Sequence, residues 1–131
     1  MILFVCVENA GRSQMAEAFV KHYGEGKVEA LSAGTMPSSE VNPVVVEAMK
    51  EKGFDLSKNK PKPIDTQMVR EADMVIVMGC GAQGFCPAPM RKKVEDWEIE
   101  DPKGKSIKKV REIRDEIERK VKKLIAEMRA R

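Results

Sequence analysis

Cys6 and Arg12 bracket the stretch Cys6-Val7-Glu8-Asn9-Ala10-Gly11-Arg12-Ser13, which directly follows the apolar run Ile2-Leu3-Phe4-Val5. The run reads as a buried strand and residues 13–23 as a helix. The stretch between them is therefore a tight loop at the carboxyl end of a strand and the amino end of a helix. Such a loop is built to hold a tetrahedral oxyanion: main-chain N–H groups converge, the helix macrodipole adds roughly half a positive charge, and a guanidinium forks onto two oxygens. The same field favours the thiolate of a cysteine placed within it, and the thiolate is the nucleophile. Ser13 adds a hydroxyl that can donate to the sulfur, and Gly11 lets the backbone approach a ligand closely. Val7, Glu8, Asn9, Ala10, Gly11, Arg12 and Ser13 are the candidate oxyanion-binding residues, with Cys6 the candidate nucleophile. Asn9 either braces the loop through side-chain bonds to backbone or is a generic turn residue.

The other two cysteines bear on what that nucleophile does. Three cysteines and one histidine, His22, do not make a four-ligand zinc site, and an odd count does not suit a disulfide-stapled extracellular scaffold. Cys80 and Cys86 lie just past the apolar run Met74-Val75-Ile76-Val77-Met78, which has the pattern of a central parallel strand. They therefore belong at the same sheet edge as Cys6. That placement permits a thiol–disulfide relay. A static loop disulfide or two buried thiols are the alternatives.

The elements that must position these groups alternate between strand and helix patterns. Strands are expected at 2–6, 28–32, 74–78 and, as an edge, 94–97. Helices are expected at 13–23, ended near Gly24, at 44–52, opened by the cap-and-proline pair Asn42-Pro43, and as a short turn at 68–71. Residues 55–66 read as a polar loop and 80–89 as a glycine- and proline-containing one. Ile107, Val110, Ile113, Ile117, Val121, Leu124 and Met128 recur every three or four residues, so a long final helix packs one face on the sheet and leaves its Lys and Arg residues solvated. Trp97 is a packing anchor, and His22 a surface residue near a helix end. The expected fold is α/β: a single domain over 1–131 with a four-stranded parallel sheet flanked by helices on both sides.

Composition narrows the partners. The chain has 131 residues, with 24 Lys and Arg against 21 Asp and Glu, and aromatic residues make up only 5%. A nucleic-acid binder would show a basic stripe interleaved with aromatics. No apolar run approaches the ~18 residues of a membrane span, and Met1 leads into a core strand without a basic leader. Neither nucleic acid nor membrane is expected as a partner, and the expected location is cytoplasmic.

Taken together, Cys6-x5-Arg12-Ser13, Gln14-Met15-Ala16-Glu17, Ser32-Ala33-Gly34-Thr35 and Asp101-Pro102 resemble the low-molecular-weight tyrosine phosphatase fold. Within it, Cys80-x5-Cys86-Pro87, Glu95-Asp96-Trp97 and Asp101-Pro102 are similar to the thioredoxin-coupled arsenate reductases. The resemblance implies that arsenate sits on the loop and on Arg12, Cys6 attacks arsenic, and Asp101 is the general acid, with Glu100 next in line. It further implies that Cys80 attacks the Cys6 adduct and that Cys86 resolves the resulting disulfide for thioredoxin or a similar dithiol reductant. No cofactor is required by this chemistry. Asn9, Glu17 and Ser32 match positions that hold a potassium ion in some members. Where those relatives carry a fourth, acidic ligand this chain reads Lys62-Pro63, with Asp65 out of register.

Three positions depart from the family pattern. Gly11 stands where relatives often have another cysteine, the spacing from Cys80 to Cys86 is shorter than in well-known reductases, and Lys103 follows Pro102 where tyrosine phosphatases carry a tyrosine. A phosphatase acting through a phosphocysteine on the same loop, Cys6, Arg12 and Asp101 is the competing enzyme reading. An oxyanion or redox sensor is the non-enzymatic one, and it leaves Asp101 without a purpose.

Overall fold

The opening apolar run and Cys6 form β1 (Ile2–Cys6), all five residues of which are buried because it is an inner strand with neighbours on both edges. It pairs in parallel with β2 (Ala30–Gly34) on one side and β3 (Met74–Val77) on the other. β4 (Lys93–Asp96) closes the far edge, giving the order β2-β1-β3-β4. The computed structural model describes residues 1–79 and 93–130.

Strand period then sorts side chains to two faces. Ile2, Phe4, Cys6 and Ile76 join one buried cluster with α1 (Arg12–Tyr23), α2 (Pro43–Lys50) and α4 (Ile107–Arg129). Leu3, Val5, Val75 and Val77 join a second cluster, against which Met68 and Val69 of α3 (Thr66–Glu71) pack. Helices therefore cover both faces of a four-stranded parallel sheet, as the sequence pattern leads one to expect. No helix among the described residues is long and apolar enough to cross a membrane.

The caps follow from local chemistry. Asn42 Oδ1 accepts from the Val44 N–H at 2.9 Å with Pro43 at the first helical position, Asp65 Oδ1 accepts from Met68 N–H at 2.8 Å, and the Ser106 hydroxyl accepts from Lys109 N–H at 3.3 Å. Trp97 is buried, its ring tilted against Phe4 at 5.7 Å between centroids. His22 is exposed near the end of α1.

Two expectations need correction. The second strand is displaced towards the carboxyl end, because pairing with β1 sets its span, from Ile2 opposite Ala30 to Cys6 opposite Gly34. A glycine at that end gives no strand signal of its own. Nor is the charged face of α4 uniformly solvated. Arg114 and Glu118 are buried. Arg114 Nη1 donates to the Ala48 carbonyl at 2.7 Å and so satisfies a last-turn carbonyl of α2, while Glu118 accepts from Lys52 and from the Tyr23 hydroxyl, pushing that phenol up to about 12.

Just past α2, Glu51 ties that helix to α4. A hydrogen bond from Arg111, and next one from Arg114, hold its carboxyl at about 2, against the ordinary 4.5. A folded-state value below the unfolded one means stability that is present above pH 4.5 and lost as pH falls towards 2. The Glu51→Gln chain should accordingly be less stable than the parent at neutral pH, with the difference closing across that window. Urea unfolding at a series of pH values reads this, and a constant difference down to pH 2 would show that the ion pairs contribute nothing.

Candidate active site

The chain leaves β1 towards β2 on one side, and β3 lies on the other, so the sheet order reverses at β1. Parallel sheets open a crevice at the carboxyl ends of strands at such a point. Cys6 is the last residue of β1 and Arg12 the first of α1, which places the intervening loop in that crevice.

Main-chain bonding orients the loop. The carbonyls of Cys6, Val7, Glu8 and Ala10 accept from the N–H groups of Thr35, Met36, Ser38 and Asn42 at 2.8–3.1 Å, and the Gly11 carbonyl accepts from Met15 N–H at 3.0 Å. In a planar trans peptide the N–H points opposite to the preceding C=O. With those five carbonyls committed outward, the amides of residues 7, 8, 9, 11 and 12 face the other way, into the concavity. The Asn9 amide accordingly donates to Cys6 Sγ at 3.2 Å. Gly34 lets the loop pass this close to β2, since a Cβ there would stand 2.6 Å from the Val7 carbonyl oxygen.

A chain of side-chain bonds aims further donors at the sulfur. Asn59 Nδ2 donates to Gln14 Oε1 at 3.1 Å, Gln14 Nε2 donates to Asn9 Oδ1 at 3.1 Å, and Asn9 Nδ2 donates to Ser13 Oγ at 2.7 Å. The Lys62 main-chain N–H donates to the same Asn9 Oδ1 at 3.0 Å. With Asn9 occupying a lone pair of Ser13 Oγ, the serine hydrogen is free to point at Cys6 Sγ, 2.9 Å away. Two donors on one sulfur stabilise negative charge there. Asn9 adopts φ of 53°, a left-handed conformation that asparagine tolerates better than most residues, and it is fully buried. It is thus a brace of the loop. Gln14 and Asn59 are the members that sequence reasoning missed. The available signal for Gln14 was its place in the motif Gln14-Met15-Ala16-Glu17, directly after Arg12-Ser13.

Arg12 is buried, its Nη1 donating to the Ile99 carbonyl at 3.0 Å and its Nη2 lying 3.7 Å from Asp101 Oδ2. Gly79, at φ of +82°, is packed so tightly on the guanidinium that a Cβ there would stand 2.1 Å from Nη1. Asp101 is half exposed, and its Oδ1 accepts from the Lys103 N–H at 3.0 Å. Glu100 instead pairs with Lys109 at 3.1 Å and Lys105 at 3.6 Å. Cys6, Glu8, Ala10, Gly11, Arg12 and Asp101 line one cavity of about 330 Å³. Cys80 and Cys86 lie outside the described residues.

Of the three residues matched to the potassium site, Glu17 and Ser32 are in contact, and Asn9 Oδ1 accepts from Gln14 and from the Lys62 N–H. The Ser32 hydroxyl donates to Glu17 Oε1, Lys21 Nζ lies 2.6 Å from Oε2, and Lys62 Nζ lies 4.0 Å from Oε1. Both oxygens of Glu17 and the Oδ1 of Asn9 are engaged by the chain's own donors, and two ammonium groups balance the carboxylate. The residues present do not fit a potassium ion.

The profile of the low molecular weight phosphotyrosine protein phosphatases matches residues 1–131. The chain belongs to that family. Members of differing activity are similar to this phosphatase-family chain. A glutaredoxin arsenate reductase of Synechocystis is 38% identical over 129 residues, 97% of each chain. The thioredoxin-dependent arsenate reductase of Corynebacterium glutamicum superposes with a TM-score of 0.81 at 39% identity over 98% of this chain, which spans 60% of that one. An arginine phosphatase from Geobacillus stearothermophilus superposes at 0.86 with 28% identity, covering 98% and 92%.

The bond chain makes a reactivity prediction. In a protein whose Cys80 and Cys86 are both serine, Asn9→Ala should slow alkylation of Cys6 by iodoacetamide at neutral pH by about 10- to 100-fold, the range for losing hydrogen bonds to a charged group. Ser13→Ala should act similarly, and the double variant little worse than either single one. Simple multiplication of the two effects would show that Asn9 does not act through Ser13.

Proposed function

We propose that this protein reduces arsenate to arsenite, with Cys6, Cys80 and Cys86 as an internal relay. The observation that carries the reading is the Cys6 sulfur at the base of an amide-lined, Arg12-flanked loop, with Gly79, the residue preceding Cys80, packed on that same arginine. The named activities of similar family members support it.

Arsenate binds as a tetrahedral anion on the amides of the loop and the Arg12 fork. The Cys6 thiolate attacks arsenic and forms an S–As bond, while Asp101 gives its proton to the departing oxygen so that water leaves. The Cys80 thiolate then attacks Cys6 Sγ. The S–As electron pair passes to arsenic, which departs as arsenite, and the two sulfurs are oxidised to a Cys6–Cys80 disulfide. Cys86 attacks Cys80, freeing Cys6 and leaving Cys80–Cys86 for a dithiol protein to reduce by exchange. Thioredoxin is the proposed reductant, in the cytoplasm, where such exchange keeps thiols reduced. Lys21 and Lys62 supply the positive charge beneath the loop, so no potassium is required.

The same Cys6, Arg12 and Asp101 could hydrolyse a phosphate ester, and the arginine phosphatase of like fold favours keeping that second reading. Against an aryl ester stands the cavity wall, where Ser38, Ser39, Glu40, Asn42, Pro43 and Lys103 offer no aromatic ring among the described residues.

Arsenite production coupled to a thioredoxin system, run beside a glutaredoxin–glutathione system, tests the proposal directly. Cys6→Ser should abolish both arsenite formation and any aryl phosphate hydrolysis. Cys80→Ser or Cys86→Ser should stop multiple turnover while sparing hydrolysis, and Cys86→Ser should accumulate a Cys6–Cys80 disulfide visible by peptide mapping. Sustained turnover without both thiols would overturn the relay.

The role of Asp101 has its own measurement. Asp101→Asn should slow hydrolysis of an aryl phosphate with a basic phenolate by roughly 100- to 10,000-fold, and much less with an acidic phenolate. Equal losses on the two substrates would make Asp101 a positioning residue rather than the acid.

A further inference from the structure

Two chain segments flank the mouth of the cavity, and one ion pair joins them. Glu8 lies on the oxyanion loop and Lys103 on the turn that carries Asp101; both line the cavity, and Lys103 Nζ stands 3.1 Å from Glu8 Oε2. The turn is internally braced, with Lys103 N–H on Asp101 Oδ1 at 3.0 Å and Lys105 N–H on the Pro102 carbonyl at 3.1 Å. Its buried Pro102 ring rests against Gly11, so the turn touches the loop at two places, one apolar and one ionic. Glu8 is itself anchored, because its carbonyl accepts from Ser38 N–H at 2.9 Å.

We propose that the Glu8–Lys103 pair is a latch across the mouth that holds the Asp101 turn closed on the oxyanion loop and selects small, unsubstituted tetrahedral oxyanions over their esters. The proposal deepens the reading of this cavity as an oxyanion site and rests on that reading. An inorganic oxyanion needs only the space directly over the loop. An ester carries an organic group beyond that space, into the part of the cavity that Glu8 and Lys103 line. The pair also neutralises Glu8, a carboxylate that would otherwise repel any anion approaching Cys6. Lys103 is largely exposed and Glu8 about a third exposed, so the discrimination belongs in the range of surface pairs, about two- to fivefold, and weakens with salt. Lys103 and the Glu8 side chain are specificity-determining groups; neither reacts with the substrate.

Calorimetric titration with inorganic phosphate and with benzylphosphonate, at a pH where both are dianions, tests this without any turnover. Removing a charge alters the field felt by both ligands alike, so the ratio of their affinities isolates the latch. In Lys103→Ala and in Glu8→Gln, which keeps its main-chain amide, the ratio should move about two- to fivefold towards the phosphonate. It should return to the parent value in the exchanged pair Glu8→Lys with Lys103→Glu. In the parent the ratio should move towards the phosphonate with added salt, and in the single variants it should not. A ratio unchanged in both single variants overturns the latch, as does a shift that charge exchange fails to reverse. Failure of the parent to bind either ligand overturns the latch and the oxyanion site together. Normal ligand binding and latch behaviour without arsenate reduction would leave the latch standing and remove only the reductase reading.

Discussion

The outward commitment of the loop carbonyls is the constraint on which the rest of the site depends. An isolated loop of this length has no reason to turn most of its amides one way. Here the N–H groups of Thr35, Met36, Ser38 and Asn42 hold four carbonyls on the outer side, and planar peptides carry the amides to the inner side. The donors come from the segment that runs from the end of β2 to the cap of α2. That segment is delivered by the parallel pairing of Cys6 with Gly34. Sheet register, a glycine without a side chain in the way, and anion binding are therefore one construction.

Around this frame the polar groups are arranged so that burial costs little. No buried side-chain nitrogen or oxygen among the described residues lacks a partner, which removes the penalty of about 1–3 kcal/mol for each unsatisfied group. The chain from Asn59 through Gln14 and Asn9 to Ser13 has a direction, because each amide is fixed by the bond it makes on its far side. Its end is a donor aimed at sulfur. Nearby, Glu17 is paired with Lys21 at 2.6 Å and lies 4.0 Å from Lys62.

A site of this kind binds and attacks; the fate of the cysteine adduct is decided by the groups beyond it. Hydrolysis needs water to reach a phosphocysteine, and reduction needs a second thiol to reach the same sulfur. An arsenate reductase and an arginine phosphatase are both similar in fold to this chain. Gly79 packs on Arg12, Asp101 stands 3.7 Å from the same guanidinium, and Lys103 stands 3.1 Å from Glu8.

Much of this was legible in the residues themselves. The apolar run put Cys6 at a strand end, Asn42-Pro43 announced a helix, and the spacing of Ile113, Ile117, Val121 and Leu124 announced another, because local periodicity reports burial directly. Cys6 and Arg12 were found together because one short loop carries both. Sequence could not show that Arg114 leaves the solvated face to satisfy a carbonyl of α2, that Asn59 orients Gln14, or that Lys62 stands beside Glu17. Nor could it pair Glu8 with Lys103. Each of those contacts joins residues distant along the chain, and only packing of the sheet and helices brings them within reach, since a charge or an amide carries no local mark of the partner it will meet.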